Sequence, residues 1–284
     1  LFKAVACTVG IALTYVPKKP LSREDKFMTQ AEKREYLITE LLKERPEYTD
    51  ISIPKDETEQ KKLLRSLFNV RFPLPIGDEF LRVQDEYLQE EIAQKGITSI
   101  DDLEQIKPDI YLWQGDITTL KCDAIVNAAN SQMLGCFCPN HGCIDNAIHT
   151  FSGIQLRLKC AEIMQKQGES EETEKAKITP AYNLPCKYIL HTVGPIVTGK
   201  LTAGDCELLR SCYHSCLTLA DEYKLNSIAF CCISTGEFHF PNDKAAKIAI
   251  ETVSEYKKLA NNKIKVIFNV FKKSDYEIYR ELLG

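Results

Sequence analysis

Four side chains that can bind a metal fall within one eight-residue stretch: Cys136, Cys138, His141 and Cys143. Thiolates and imidazole suit Zn2+ better than the hard, oxygen-seeking cations. The loop joining them is short and contains Pro139 and Gly142, so Cys136, His141 and Cys143 can converge on one ion. A lone cysteine is usually a small buried hydrophobe, whereas a Cys-x-Cys-x-x-His-x-Cys run reads as a zinc site. Four protein ligands would close the coordination sphere and leave the metal to staple the loop. Three would leave a position for water or substrate, and spacing alone permits either. Asp145 follows at the start of a helical pattern, where an acid favours the helix N-terminus.

A second chemistry is written at the ends of short apolar runs. Ile110–Gln114 leads into Gly115-Asp116-Ile117-Thr118, and Ala124–Val126 into Asn127-Ala128-Ala129-Asn130-Ser131. Tyr188–Thr192 leads to Gly194-Pro195, and Ser227–Ile233 leads into Ser234-Thr235-Gly236-Glu237-Phe238. Backbone N–H groups in such turns can face a diphosphate, and Asn or Asp side chains can hold sugar hydroxyls or a base edge. One such turn is ordinary turn chemistry. Four at the ends of one set of strands make a better case for a ligand.

These runs alternate with longer periodic segments, Asp145–Gln165, Cys206–Tyr223, Asp243–Leu259 and Asp275–Leu283, and a further strand is expected at Lys265–Phe271. The alternation predicts an α/β fold with a mixed, mostly parallel sheet covered on both faces. In such sheets ligands sit where strands end and helix N-termini point inward. Before about residue 105 the pattern is different. Met28–Lys43, Thr58–Phe68 and Asp78–Gln94 carry apolar residues at helical spacing, broken apart by Pro46, Pro73, Pro75 and Gly77. Residues 1–105 therefore read as a helical extension, packed on or capping a domain over 106–284, and no chemistry is written on it.

Composition narrows the classes. With 44% hydrophobic and 27% charged residues the chain is globular, and a net charge of −4 argues against a broad nucleic-acid surface. Its 12 cysteines are not spaced as a secreted disulfide framework. A reducing, cytoplasmic location is expected, with no membrane span. The apolar stretch Leu1–Val16 is short for a span, contains Lys3 and Gly10, and no convincing cleavage site follows it. The chain lacks an initiator Met, so its true N-terminus is expected to lie upstream.

Gly115–Thr118, Val126–Ser131, Ile144–His149 and Ile233–Phe238 resemble, in order and spacing, the motif set of macrodomains, over about residues 108–284. The resemblance implies a three-layer α/β/α module that binds ADP-ribose. Hydrolytic macrodomains usually carry a glycine run just before the Val/Ile-Asp segment. Here Leu134–Cys143 stands in its place, with the Cys/His cluster inside it. That substitution is similar to the zinc-containing branch, which also has an N-terminal helical extension and is often encoded beside sirtuin-type ADP-ribosyltransferases. By this resemblance Cys136, His141 and Cys143 are the zinc ligands and Cys138 turns away.

The resemblance also places a ligand. The adenine end would lie at Asp116 and Ile117, and the diphosphate on the backbone of Ser234, Thr235, Gly236, Glu237 and Phe238. The distal ribose would lie at Asn130 and the catalytic Asp145, and Phe271 would pack against the adenosine, with Asn269 beside it. The implied activity is zinc-dependent hydrolysis of mono-ADP-ribose from modified proteins, ester-linked at Asp or Glu. The competing expectation is a reader that binds ADP-ribose without cleaving it. His149 reads as a packed or orienting histidine, and His239 carries no assignment. Gly194–Leu201 almost spells a phosphate-binding P-loop, but Leu201 stands where a Ser or Thr would hold Mg2+.

Overall fold

The computed structural model describes residues 28–260 and 263–284; the stretch Leu1–Val16 lies outside them. Among the described residues three helices come first: α1 (Gln30–Lys43), α2 (Glu57–Val70) and α3 (Asp78–Lys95). Their starts are set by local chemistry. Thr29 caps α1 through a reciprocal pair with Glu32, and Asp56 accepts from the Glu59 N–H at the start of α2. Buried Leu37, Ile38, Leu64, Leu67, Phe80 and Val83 give the three helices a core of their own, which Ile154 of the following domain joins.

Nine strands follow among the described residues. They are β1 (Thr98–Ser99), β2 (Gln105–Lys107), β3 (Ile110–Gln114), β4 (Leu120–Lys121), β5 (Ala124–Ala129), β6 (Ala176–Pro180), β7 (Tyr188–Val193), β8 (Ser227–Phe230) and β9 (Lys265–Val270). Seven form the main sheet in the order β2-β3-β9-β8-β5-β7-β6, while β1 and β4 pair separately. The inner five run parallel, and the edge strands β2 and β6 are antiparallel to their neighbours. The sheet is mixed, as expected, and buried on both faces by α4 (Ile144–Ser152), α5 (Ile154–Gln167), α6 (Ala203–Glu222), α7 (Asn242–Ala260) and α8 (Lys273–Leu283). α6, α7 and α8 pack on one another and on the sheet as one layer, and α4 and α5 form the other. The architecture is the three-layer α/β/α sandwich with a preceding helical extension.

Four details differ from the sequence reading. β5 does not end at Val126 but continues through Ala129, because Asn127 pairs in register with His191 of β7. β8 stops at Phe230, three residues early, since Ser234 turns the chain with φ +64. The single helix expected over Asp145–Gln165 breaks at Gly153, whose φ of +97 suits glycine. Strands β1, β2, β4 and β6 are not among the expected ones: the first three are two or three residues long, and β6 is an antiparallel edge strand ending in Pro180, with a weak alternation that carries little signal.

Candidate active site and metal-binding loop

The parallel strands deliver their C-terminal ends to one side of the sheet, and the loops there hold most of the chemistry. β5 ends next to Asn130, whose carbonyl oxygen Oδ1 accepts from the Gln132 N–H (3.0 Å) and whose Nδ2 donates to the Gly135 carbonyl (3.1 Å). That second bond ties the strand end to the loop carrying Cys136. Cys136 Sγ lies 3.7 Å from His141 Nδ1, and the ligand atoms of Cys136, His141 and Cys143 all fall within 4.8 Å of one another. Cys138 is exposed and outside this group. Cys143 also begins α4: its Sγ accepts from the Asn146 N–H at 3.4 Å, so the thiol sits at the positive end of the helix.

The donor set fits zinc. Sulfur at about 2.3 Å and nitrogen at about 2.0 Å from a tetrahedral ion lie roughly 3.6 Å apart, close to the Cys136–His141 spacing of 3.7 Å. His149, Cys160 and His191 also come within 4.8 Å of one another. In that group both nitrogens of His191 already face hydrogen-bond partners, Asn127 and Thr179, so neither is available to bind a metal.

Asp145 lies in the first turn of α4 and is buried. Asn127 Nδ2 donates to its Oδ1 at 2.8 Å, Asn130 Nδ2 approaches its Oδ2 at 3.5 Å, and His149 Nε2 stands 3.5 Å from Oδ1. Burial pushes the carboxyl up to about 6, while the Asn127 hydrogen bond and the charge of Arg157 pull it down. Burial also holds His149 well below the usual imidazole range, so its ring is neutral. Asn127 is thus a residue that the sequence reading passed over. In the sequence it belongs to a turn-like Asn-Ala-Ala-Asn run, and only the strand register turns it inward toward Asp145.

Asn127 also fixes His191. Its amide donates to His191 Nδ1 at 3.2 Å, which leaves the ring proton on Nε2, 2.9 Å from Thr179 Oγ1. Burial lowers the His191 pKa to about 3. The unfolded chain takes up this proton below about pH 6.5 and the folded chain does not until about pH 3, so stability is lost as pH falls through that window. By pH 5 the loss from this group is about 2 kcal/mol. The urea midpoint should therefore drop more between pH 7 and pH 5 in the wild type than in His191→Gln, which does not titrate. Equal drops would mean that the ring is not held neutral.

The loop after β8 lies at the same strand ends. Ser234 is buried, and its Oγ has no hydrogen-bond partner among the described residues. Gly194, at the end of β7, makes room for it: a Cβ there would stand 2.0 Å from Ser234 Oγ. Val197 N–H donates to the Phe238 carbonyl at 2.9 Å, so the near P-loop segment is pinned to this loop. The Thr202 hydroxyl is engaged with Asp205 as the cap of α6. Gly236 and Glu237 are exposed, Thr235 and Phe238 half-buried, and His239 exposed with φ +55. Glu237 Oε1 reaches to 3.5 Å of His141 Nε2. The Cys136–Cys143 loop and the loop after β8 therefore meet.

At the end of β3, Asp116 Oδ1 accepts from the Thr118 N–H (3.0 Å) and hydroxyl (2.6 Å), which turns the chain and buries Ile117 in the core. Its Oδ2 pairs at 2.9 Å with Lys95 of α3, whose ammonium also lies over the Phe151 ring. Asn269 donates to the Gly115 carbonyl at 3.0 Å, and Phe271 projects beside it, 76% exposed. The structure thus brings Asn130, Cys136, His141, Cys143, Asp145 and Glu237 together directly, with Asp116 and Phe271 at the ends of β3 and β9. An open groove of about 600 Å³ beside β6 and α6 shares none of these residues.

A macro domain model matches residues 126–249. A protein-ADP-ribose hydrolase of Treponema medium is 59% identical over 261 residues, 90% of this chain and all of the relative. One of Staphylococcus aureus is 52% identical over 249 residues, 87% of this chain and 93% of the relative. Among solved structures, a Trypanosoma brucei macrodomain in complex with ADP-ribose superposes with a TM-score of 0.61 at 28% identity, over 81% of this chain and 97% of that one. Sheet order, strand-end loops and these likenesses agree on the class of protein, an α/β/α macrodomain. Within it, the chain belongs to the family of the protein-ADP-ribose hydrolases.

Proposed function

We infer that the protein is a hydrolase that removes ADP-ribose from modified proteins, and we propose that it does so with zinc held by Cys136, His141 and Cys143. The observation that carries the metal reading is the convergence of these three soft donors within 4.8 Å, in a loop bonded to Asn130 and two residues from Asp145. ADP-ribose would lie across the strand ends. Asp116 would accept from the adenine amine beside Ile117, and Phe271 would cover the adenosine. The Ser234–Phe238 loop would present its amides to the diphosphate, with Thr235, Gly236 and Glu237 in the exposed arc. Asn130 would orient the distal ribose.

The proposed reaction breaks the bond between ribose C1 and a side-chain oxygen of Asp or Glu, with water as the second substrate. A carboxylate is a tolerable leaving group, so modest activation suffices. When bound, Zn2+ would supply Lewis acidity to a substrate oxygen or lower the pKa of a water molecule towards about 7. Asp145 is held by Asn127 so that a carboxylate oxygen can orient the attacking water or accept its proton. Glu237 stands where it can steady the outer nitrogen of His141. A reducing, cytoplasmic setting suits the thiolate ligands, and a sirtuin-type ADP-ribosyltransferase is the kind of partner that would write the mark erased here.

The test is release of ADP-ribose from a protein mono-ADP-ribosylated on acidic side chains, with metal content assayed on the same sample. Release that stops on chelation and returns with Zn2+ supports the reading. Intact ADP-ribose binding without release, at one zinc per chain, would make the protein a reader or direct it to another linkage.

A further inference from the structure

The metal loop has no regular secondary structure between Gly135 and Cys143, yet it is tied down from outside its own domain. Helix α2 of the extension presents Arg65 and Asn69, one turn apart, to this loop. Arg65 Nη2 donates to the His141 carbonyl at 3.0 Å and to Asn146 Oδ1 at 2.8 Å, and its Nε donates to the same Asn146 oxygen at 3.1 Å. Asn146 in turn donates from Nδ2 to the Cys138 carbonyl at 3.0 Å. Asn69 Oδ1 accepts from the Asn140 N–H at 2.9 Å, and Ser66 Oγ accepts from Asn140 Nδ2 at 2.7 Å. Asn140 has φ +54, a left-handed conformation that these two bonds hold in place.

A second brace comes from α5. Arg157 is buried; its Nε donates to the Leu134 carbonyl at 2.7 Å, at the root of the loop, and its guanidinium lies over the Phe137 ring. Its Nη1 donates to the carbonyls of Phe68, Asn69 and Arg71, the unpaired C-terminal end of α2. The same residue that anchors the loop therefore anchors the helix that grips it.

We propose that α2 of the N-terminal extension positions the zinc ligands, with Arg65 and Asn69 as positioning residues that preset the Cys136–His141–Cys143 geometry. This rests on the metal reading of the loop. Cys143 is held by the start of α4, but without α2 the Asn140–His141 segment would have to be ordered by the ion itself, and that ordering would be subtracted from its affinity. The extension is then a working part of the metal site rather than a neutral appendage.

The experiment uses the full chain loaded with Zn2+ and follows metal release to a chromogenic chelator. Arg65→Met should speed release about 10- to 100-fold, the range for losing a group that orients metal ligands. In protein loaded with Co2+ instead, it should shift the visible absorption bands of the ion held by two thiolates and an imidazole. Arg65→Lys, which keeps the charge but loses the fork, should fall between. Ser66→Ala removes one bond at the exposed edge, too mild a change to unfold the chain, and should speed release a few-fold. Lys95→Met, on the same extension but at the Asp116 end, should leave release unchanged. Wild-type rates and spectra in both Arg65→Met and Ser66→Ala would overturn the proposal while leaving the metal reading intact. A wild-type chain that takes up no zinc would remove the metal reading, and this inference with it.

Discussion

Asp145→Asn is expected to lower turnover by about 10²- to 10⁴-fold, the range for removing a positioned proton acceptor, while ADP-ribose affinity changes by no more than a few-fold. The substitution suits the site. Asn127 donates to Asp145 Oδ1, and the new amide oxygen can still receive that bond, so neither the buried pair nor α4 is left broken. The neutral group also matches a pocket whose burial already penalises the charged carboxylate. What disappears is the ability to take a proton, together with the long 3.5 Å approach of Asn130 Nδ2, which keeps its bond to the Gly135 carbonyl. Single-turnover release and ADP-ribose calorimetry on the same preparation separate the two effects. Near-normal turnover would remove Asp145 from the chemistry, and a parallel loss of affinity would make it a binding residue instead.

The second large effect is expected from Cys143→Ser. Serine is among the best helix N-caps, so it can accept from the Asn146 N–H as the thiol now does, and α4 should start at the same place. It is a far poorer ligand for zinc. Bound zinc should fall well below one per chain and turnover by at least about 10²-fold. ADP-ribose affinity should largely persist, because Asp116 lies at the end of β3, apart from the three ligands, and the Ser234–Phe238 loop meets them through Glu237 alone among the described residues. Cys138→Ser is the control: exposed and outside the cluster, it should leave zinc content and turnover unchanged. If Cys138→Ser empties the site and Cys143→Ser does not, the ligand assignment is wrong.

Much of the frame was legible in the sequence because it rests on local signals. β3 begins and ends where its apolar run predicts, and α6, α7 and α8 lie within three residues of the expected bounds. The three helices of the extension do as well, because their periodicity is interrupted by Pro and Gly. Boundaries failed where a tertiary partner decided them: Asn127 reads as turn chemistry until β7 pairs with it, and Gly153 splits a pattern that is apolar-periodic on both sides. The edge strand β6 is invisible because one neighbour and one face define it.

The site divides in the same way. Which residues can bind a soft metal, which loops can take a diphosphate, and which acid stands beside them follow from residue type and short-range spacing, since Cys136 to Asp145 is a single continuous stretch. Physical proximity across long sequence distances does not. That Glu237 touches His141, that Asn127 holds Asp145, that Lys95 pairs with Asp116, and that Arg65 and Asn69 grip the Cys136–Cys143 loop are facts of packing between separate segments of the chain. No composition or periodicity encodes those pairings, because a hydrogen bond depends on where two backbones are brought. Residue types name the donors in advance. Packing selects which of them meet, and it makes the extension, chemically blank when read alone, one of the parts that hold them.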